Sequence, residues 1–389
     1  MLKQGAGARI RPFLVMDVIA RANARERVLQ TGADRVIRME VGQPGIGAPQ
    51  GAVRAATRAL QEGLALGYTE AFGLPGLRQR IAQHYQAFYG SDVAPRRIAV
   101  TTGASGGFLL AFLAAFDPGD RIALATPYYP PYVNILTALG LCPVLLETGP
   151  ESRFQPTIAM LEAMAKPPEG LILASPCNPA GTMLARAELA ALAQWCDAHG
   201  VRLVSDEIYH GLTWEMDAAT AASFSDSAII VNSFSKYWSM TGWRVGWLVL
   251  PEDLLEPAER LKQNLFISAP HISQVAAEAA LDCGDEVAVN LARYRRVRAH
   301  LLETLPNAGF ASLSPAQGAF YLYADISART TDSVAFAAQL LDQAAVAITP
   351  GVDFDAQRGH CFVRFSYCGP EADMMAAPAR LERFRRRYG

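Results

Sequence analysis

Lys236 stands in Ser233-Phe-Ser-Lys236-Tyr-Trp-Ser-Met-Thr-Gly-Trp-Arg244, with two serines just before it and an arginine eight residues after it. The apolar stretch Ala228-Ile-Ile-Val231 that precedes them reads as a buried strand. An amine at the exit of such a strand is partly withdrawn from water. Its charged form is disfavoured, and it becomes a usable nucleophile. Ser233 and Arg244 supply a hydroxyl and a fixed cation, the groups that hold a phosphate. Together the three point to a Schiff-base lysine beside a phosphorylated aldehyde, which is pyridoxal 5'-phosphate. Ser-x-x-Lys also occurs in serine acyl-transferases of the penicillin-binding type, which carry Ser-Asp-Asn and Lys-Thr-Gly as well. Here Ser205-Asp206 is followed by Glu207, and no Lys-Thr pair exists.

The elements that must position this lysine follow from the apolar pattern. Ile98-Ala-Val100, Ile122-Ala-Leu-Ala125, Leu171-Ile-Leu-Ala174, Val201-Arg-Leu-Val204 and Ile229-Ile-Val231 read as strands. Ser105–Phe116, Tyr132–Leu139, Thr157–Met164 and Arg186–His199 read as helices between them. Near-continuous apolar strands alternating with helices predict an α/β fold with a mainly parallel sheet covered on both faces. Ligands of such sheets bind at the carboxyl ends of the strands. The exits are Thr102-Gly-Ala-Ser-Gly, Thr126-Pro-Tyr-Tyr, Ser175-Pro-Cys-Asn-Pro-Ala-Gly, Ser205-Asp-Glu-Ile-Tyr and Ser233-Phe-Ser-Lys. Polar and aromatic residues gather there, as a single site requires. After about Leu281 the pattern changes. A long arginine-rich helix leads to strands around Gly318–Tyr323, Val346–Thr349 and Cys361–Ser366, which suits a smaller α+β unit.

Taken in order and spacing, these exits resemble a fold-type-I pyridoxal-phosphate enzyme of the class I/II aminotransferase family, aspartate aminotransferase-like, over almost the whole chain. The resemblance implies an N-terminal arm and helix (1–41) packed on the small unit, a large cofactor-binding unit (42–283) and a small C-terminal unit (284–389). It makes Lys236 the Schiff-base lysine, whose freed amine moves the proton between substrate α-carbon and cofactor. Asp206 then faces the pyridine nitrogen and keeps it protonated. Tyr209 and Asn178 bond the cofactor's 3′-oxygen. By itself Asp206 would be a turn or cap residue, and Asn178-Pro a plain turn. The family usually has Thr where this chain has Ala180. Gly103, Ala104 and Ser105 open a helix whose free N–H groups suit the phosphate, with Ser233 and Arg244 beside them. Tyr129, rather than the adjacent Tyr128, stacks on the ring. Arg364 grips the substrate α-carboxylate with its planar fork, helped by Asn178 and the backbone of Gly42. Tyr68 reaches the phosphate of a neighbouring subunit, which implies a homodimer with shared sites.

The whole chain sets outer limits. Its 389 residues hold enough apolar material for a large core or two domains. A net charge of −2 offers no basic field for nucleic acid or an anionic membrane. The first twenty residues lack the apolar run of a signal peptide, and Phe108–Phe116 is too short to span a bilayer. Six scattered cysteines without Cys-x-x-Cys suit core thiols of the cytoplasm. The six histidines form no metal-ligand spacing, so no metal is expected. The expected activity is ping-pong transfer of an amino group between an L-amino acid and a 2-oxo acid through the pyridoxamine form. The same Lys236, Asp206 and Arg364 would also serve a carbon–sulfur β-lyase or a cyclopropane-forming (ACC-synthase-like) enzyme on this scaffold. A regulator keeping such a domain as a sensor would need a DNA-binding module, for which about forty residues before Gly42 are too few. The apolar arm Ile10-Arg-Pro-Phe-Leu-Val-Met16 speaks mildly against a dicarboxylic substrate, although Arg11 could reverse that.

Overall fold

The computed structural model describes residues 2–29 and 35–388. The expected arm unit, 1–41, therefore lies partly outside the described residues. Thirteen strands are present among them. They are β1 (Ile37–Arg38), β2 (Ile98–Thr101), β3 (Arg121–Thr126), β4 (Cys142–Glu147), β5 (Gly170–Ala174), β6 (Arg202–Asp206), β7 (Ile229–Ser233), β8 (Gly246–Val249), β9 (Ser312–Leu313), β10 (Tyr321–Asp325), β11 (Val346–Ala347), β12 (Thr349–Pro350) and β13 (Phe362–Ser366).

β2 to β8 form one seven-stranded sheet in the order β2-β8-β7-β6-β5-β3-β4. All of its strands run parallel except β8, which pairs antiparallel with both β2 and β7. Its central strands are apolar on both faces because helices cover both. β2 and β7 are buried at every position. One face packs residues such as Ile81, Tyr85 and Trp247, the other Phe108, Phe112 and Leu136. All strands but β8 therefore deliver their carboxyl ends to one edge, where the side chains of the exits converge.

Two of these strands were not among the sequence expectations. β4 is an edge strand with mostly exposed or half-exposed positions and Pro143 within it, so it carries no continuous apolar run. β8 begins two residues after Arg244, directly behind the lysine-bearing loop, and its short run Gly246-Trp-Leu-Val249 merges with that loop in the sequence.

The C-terminal part forms its own sheet, β12-β13-β10-β9, all antiparallel. Its core gathers Phe310, Phe320, Leu340, Phe365 and Leu381. The expected single strand Val346–Thr349 is divided between two sheets. β11 pairs in parallel with β1, whereas β12 pairs with β13. The helix Leu14–Leu29 lies against this region through Ala22 and Val18, beside Leu341 and Ala347.

Candidate active site

A cavity of about 250 Å³ opens where the large sheet's carboxyl edge meets β10, β13 and the N-terminal helix. Lys236, Asp206, Tyr209, Asn178, Tyr129, Ala104, Ser105, Arg244, Gly42 and Arg364 all line it. Ten residues spread over more than three hundred positions of chain are brought to one wall by strand exits and by β13.

Lys236 follows β7 by three residues and points into the cavity, its Nζ donating to the Gly42 carbonyl at 2.6 Å. Burial lowers its pKa to about 8, with Arg364 and Arg244 adding to the effect. An amine so placed is readily obtained in its neutral, nucleophilic form. Gly42 is required to be glycine for a steric reason, since a Cβ there would overlap the Tyr321 hydroxyl.

Asp206 ends β6. Its carboxylate accepts from the Tyr132 hydroxyl and, at 3.1 Å, from the Ile208 backbone N–H. Burial raises its pKa to about 6, against the opposing pull of these bonds and of Lys236. A cation or protonated heterocycle against it would recover its charged form. Tyr209 shares a 2.7 Å hydrogen bond with the Tyr321 hydroxyl across the cavity floor. Burial pushes the Tyr129 hydroxyl to about 12, so it stays protonated. Phe13 meets the Tyr129 ring edge-on at 6.0 Å. Tyr128 lies outside the cavity lining.

The phosphate-sized end is built on the helix Gly103–Ala115. Its N-cap, Thr102, makes no side-chain capping bond, so the first-turn N–H groups have no side-chain acceptor there. Gly103 has φ +73°, and a Cβ on it would run into the Arg244 guanidinium. Arg244 itself takes a left-handed conformation (φ +53°), which aims its side chain back over this helix start. Ser233 is placed differently from the sequence expectation. It is fully buried behind the cavity, its hydroxyl donating to the Val245 carbonyl at 3.1 Å and lying 2.8 Å from Ser235 Oγ, which can donate to it. Ser235 is the serine that lines the cavity: Ser233 is the last residue of β7, whereas Ser235 lies in the turn that follows the strand. Tyr68 also lies away from this cavity, 82% exposed. Within one chain it contributes nothing to the site.

Arg364, on β13, is buried. Its guanidinium donates to Asn178 Oδ1 at 2.7 Å, to Thr349 Oγ1 at 3.2 Å and to the Glu40 carbonyl. It also lies over the rings of Tyr321 (4.4 Å) and Phe354 (4.7 Å). Its Nε is buried without a hydrogen-bond partner. A buried, braced guanidinium with an unused donor, open to a cavity, is suited to a carboxylate.

Several lining residues were not singled out from sequence. Tyr132 and Tyr321 carry no motif, and only the fold brings them in, whereas Ser235 stands in the Lys236 motif but was not assigned a role. Val15, Met16 and Ile19 come with Phe13 from the N-terminal helix. The helix is held there by Asp353, whose carboxylate accepts from the backbone N–H groups of Leu14 and Val15 at 3.0 and 3.1 Å.

Comparison with known proteins agrees with this geometry. A family model for aminotransferase class I and II matches residues 34–381. The valine–pyruvate aminotransferase of Mycobacterium tuberculosis (strain ATCC 25618 / H37Rv) is 48% identical over 378 residues, covering 96% of each chain. The crystal structure of an aminotransferase from Mycobacterium tuberculosis superposes with a TM-score of 0.96 at 46% identity over the whole of both chains. The Thermus thermophilus aspartate aminotransferase with maleate gives a TM-score of 0.91 at 30% identity, covering 98% of this chain and 100% of that one. This chain, with an amine-bearing cavity at the carboxyl edge of a mainly parallel sheet, therefore belongs to the class I and II aminotransferase family and is an aminotransferase.

Proposed function

We propose that the chain uses pyridoxal 5'-phosphate to move an amino group between an L-amino acid with a neutral aliphatic side chain and a 2-oxo acid such as pyruvate. The observation that carries the substrate class is the part of the cavity lining contributed by the start of the chain. Phe13, Val15, Met16 and Ile19 make it apolar. The cations of the cavity, Lys236, Arg244 and Arg364, all have other tasks. A second carboxylate would meet no partner on that part of the lining, and burying it unpaired is costly. The valine–pyruvate activity named for the M. tuberculosis relative is in line with this reading.

The residues present fit the cofactor, on the uncapped helix start beside Arg244 and on the buried, partly neutral amine of Lys236. Ala104, Ser105, Ser235 and Arg244, with the backbone of Gly103, would hold its phosphate. Tyr129 would lie against its ring, and Asn178 and Tyr209 would bond its phenolic oxygen. Asp206 would face the ring nitrogen. When bound, the cofactor supplies an electron sink for the charge left at the substrate α-carbon. Lys236 takes the α-proton and returns one, because a pKa lowered to about 8 lets its amine both lose and gain a proton near neutral pH. Asp206 keeps a negative charge in place by accepting from Tyr132 and Ile208. Arg364 fixes the α-carboxylate, and so turns the α-hydrogen toward Lys236. The apolar arm excludes water from the reacting side.

We also place the active unit as a homodimer in the cytoplasm, the two larger units being 42–283 and 284–389. Supporting the dimer, Tyr68 is exposed, as are the apolar Leu60, Leu64, Leu265 and Ile267. Supporting the reducing compartment, all six cysteines are free.

The test is a panel of amino donors against pyruvate and 2-oxoglutarate, read by product formation. Valine and its aliphatic neighbours should exceed aspartate and glutamate by at least about ten-fold, the weight of one or two pocket methylenes. Preference for aspartate would overturn the substrate class. Borohydride treatment of the holoenzyme followed by peptide mapping should put a pyridoxyl group on the Lys236 peptide. Mixing inactive Tyr68→Phe and Lys236→Ala dimers should restore some activity if Tyr68 serves the partner's site. A fully active monomer would remove the dimer.

A further inference from the structure

The turn after β6 has two sides. Asp206 and Tyr209 face the cavity, whereas Glu207 and His210 face away from it into the protein. His210 Nε2 lies 2.9 Å from the Ser175 carbonyl, and its Nδ1 lies 2.8 Å from the Tyr89 hydroxyl. A carbonyl only accepts, so Nε2 carries the proton and Nδ1 accepts from Tyr89. Glu207 Oε1 accepts from Ser205, Thr220 and the Ala221 backbone at 2.8–3.1 Å. Its Oε2 stops 3.4 Å from His210 Nδ1 and has no hydrogen-bond partner. An ionised pair would have closed that gap and displaced the Tyr89 hydroxyl. Burial acts in the same sense, raising the carboxyl to about 8 and holding the imidazole down to about 3. The groups facing His210 are Glu207, Tyr89 and, more distantly, His84, and burial favours the neutral form of both members of the pair.

Ser175 begins the loop that carries Asn178. This loop is closed on itself, with Cys177 N bonding Thr182 O at 3.0 Å and Leu184 N bonding Ser175 Oγ at 2.9 Å. Its Asn178 accepts from Arg364. We propose that His210 is a positioning residue that ties the Asn178 loop to the Asp206–Tyr209 turn, so that Asn178 holds the Arg364 guanidinium in register for the substrate carboxylate. His210 touches neither substrate nor cavity and acts through Asn178. The inference rests on the proposed function only in taking Arg364 as the carboxylate site.

The test uses the holoenzyme and isovalerate, a branched carboxylate with no amine to react, with its dissociation constant read by calorimetry. His210→Met keeps length and removes the donor. His210→Gln keeps a donor and an acceptor. His210→Met should weaken isovalerate roughly ten-fold, the size of a lost buried hydrogen bond, while His210→Gln stays within about two-fold. In an Asn178→Ala background, His210→Met should add less than about two-fold, since its route to Arg364 is gone. Full additivity, or Gln as damaging as Met, would overturn the proposal. Should His210→Met not fold, 15N NMR of the wild type decides. At pH 8 the neutral ring should carry its proton on Nε2, and an Nδ1–H neutral form there removes the tether. A wild type that does not bind isovalerate would strike the substrate assignment, and the tautomer would then still decide whether the tether exists.

Discussion

The two ends of the cavity are built on different principles. The polar end is assembled from strand exits, each anchored within a few residues of a buried, hydrogen-bonded strand. Lys236 is three residues past β7, Asp206 is the last residue of β6, and Arg364 sits inside β13. The apolar end comes from a single helix near the start of the chain. It is fixed to the rest by the Asp353 cap, by Phe13 against Tyr129, and by Val18 and Ala22 packed beside Leu341 and Ala347. Chemistry is thus placed on the strand exits, and side-chain selection on a separate element that packs against the C-terminal sheet region. One can therefore change without the other.

Four expected outcomes probe this division. Lys236→Ala should reduce turnover by more than about 10⁴-fold, since it removes both the nucleophile and the proton carrier. The variant should still retain the cofactor on dialysis through its phosphate contacts, as followed by absorbance. Loss of the cofactor as well would mean that the polar end is not independently anchored.

Arg364→Leu should lower kcat/KM for α-amino acids by about 30-fold to several thousand-fold. Removing one partner of a desolvated charge pair costs roughly 2–5 kcal/mol. The cofactor spectrum should change little, and simple amines without a carboxylate should lose far less. Equal loss for amino acids and amines would reassign Arg364 to structure.

At the other end the effects should be smaller and selective. Ile19→Ala should weaken valine against alanine by roughly ten-fold, as removal of pocket methylenes does. Asp353→Ala removes the cap on Leu14 and Val15 at a cost of about 0.5–2 kcal/mol. It should blur the same preference while speeding proteolysis near residues 13–20. A loss of cofactor affinity in either variant would erase the separation between the two ends.

The smallest effect concerns stability on the far side of the turn. Glu207 has its pKa raised from 4.5 to about 8 in the folded chain. The folded state therefore binds this proton more tightly than the unfolded chain. The stability it contributes is complete below about pH 4.5 and is lost as pH rises toward 8. Relative to Glu207→Gln, the wild-type apoprotein should lose stability to urea between pH 5 and pH 8. His210, lowered from 6.5 to about 3, works in the opposite sense, its contribution being lost as pH falls through that range. A flat difference between wild type and Glu207→Gln would mean that this carboxyl is not held neutral.

The sequence by itself determined the parallel strands, because a strand buried on both faces must be continuously apolar, and with them the exits where Lys236, Asp206, Asn178, Tyr129 and Arg244 stand. It also carried Arg364 on its own strand, through the run Val363-Arg-Phe-Ser366. Only the tertiary structure decided that Ser235 rather than Ser233 reaches the cavity, a matter of which way one side chain points. β4 and β8 were hidden because an exposed edge and a short antiparallel return leave no periodic signal. Tyr132, Tyr321 and the Asp353 cap became visible only when distant segments met, and Glu207 and His210 took their places as a buried pair behind the turn in the same way. Local patterns fix which backbone is buried. Partners hundreds of residues apart are chosen by packing, which no local window contains.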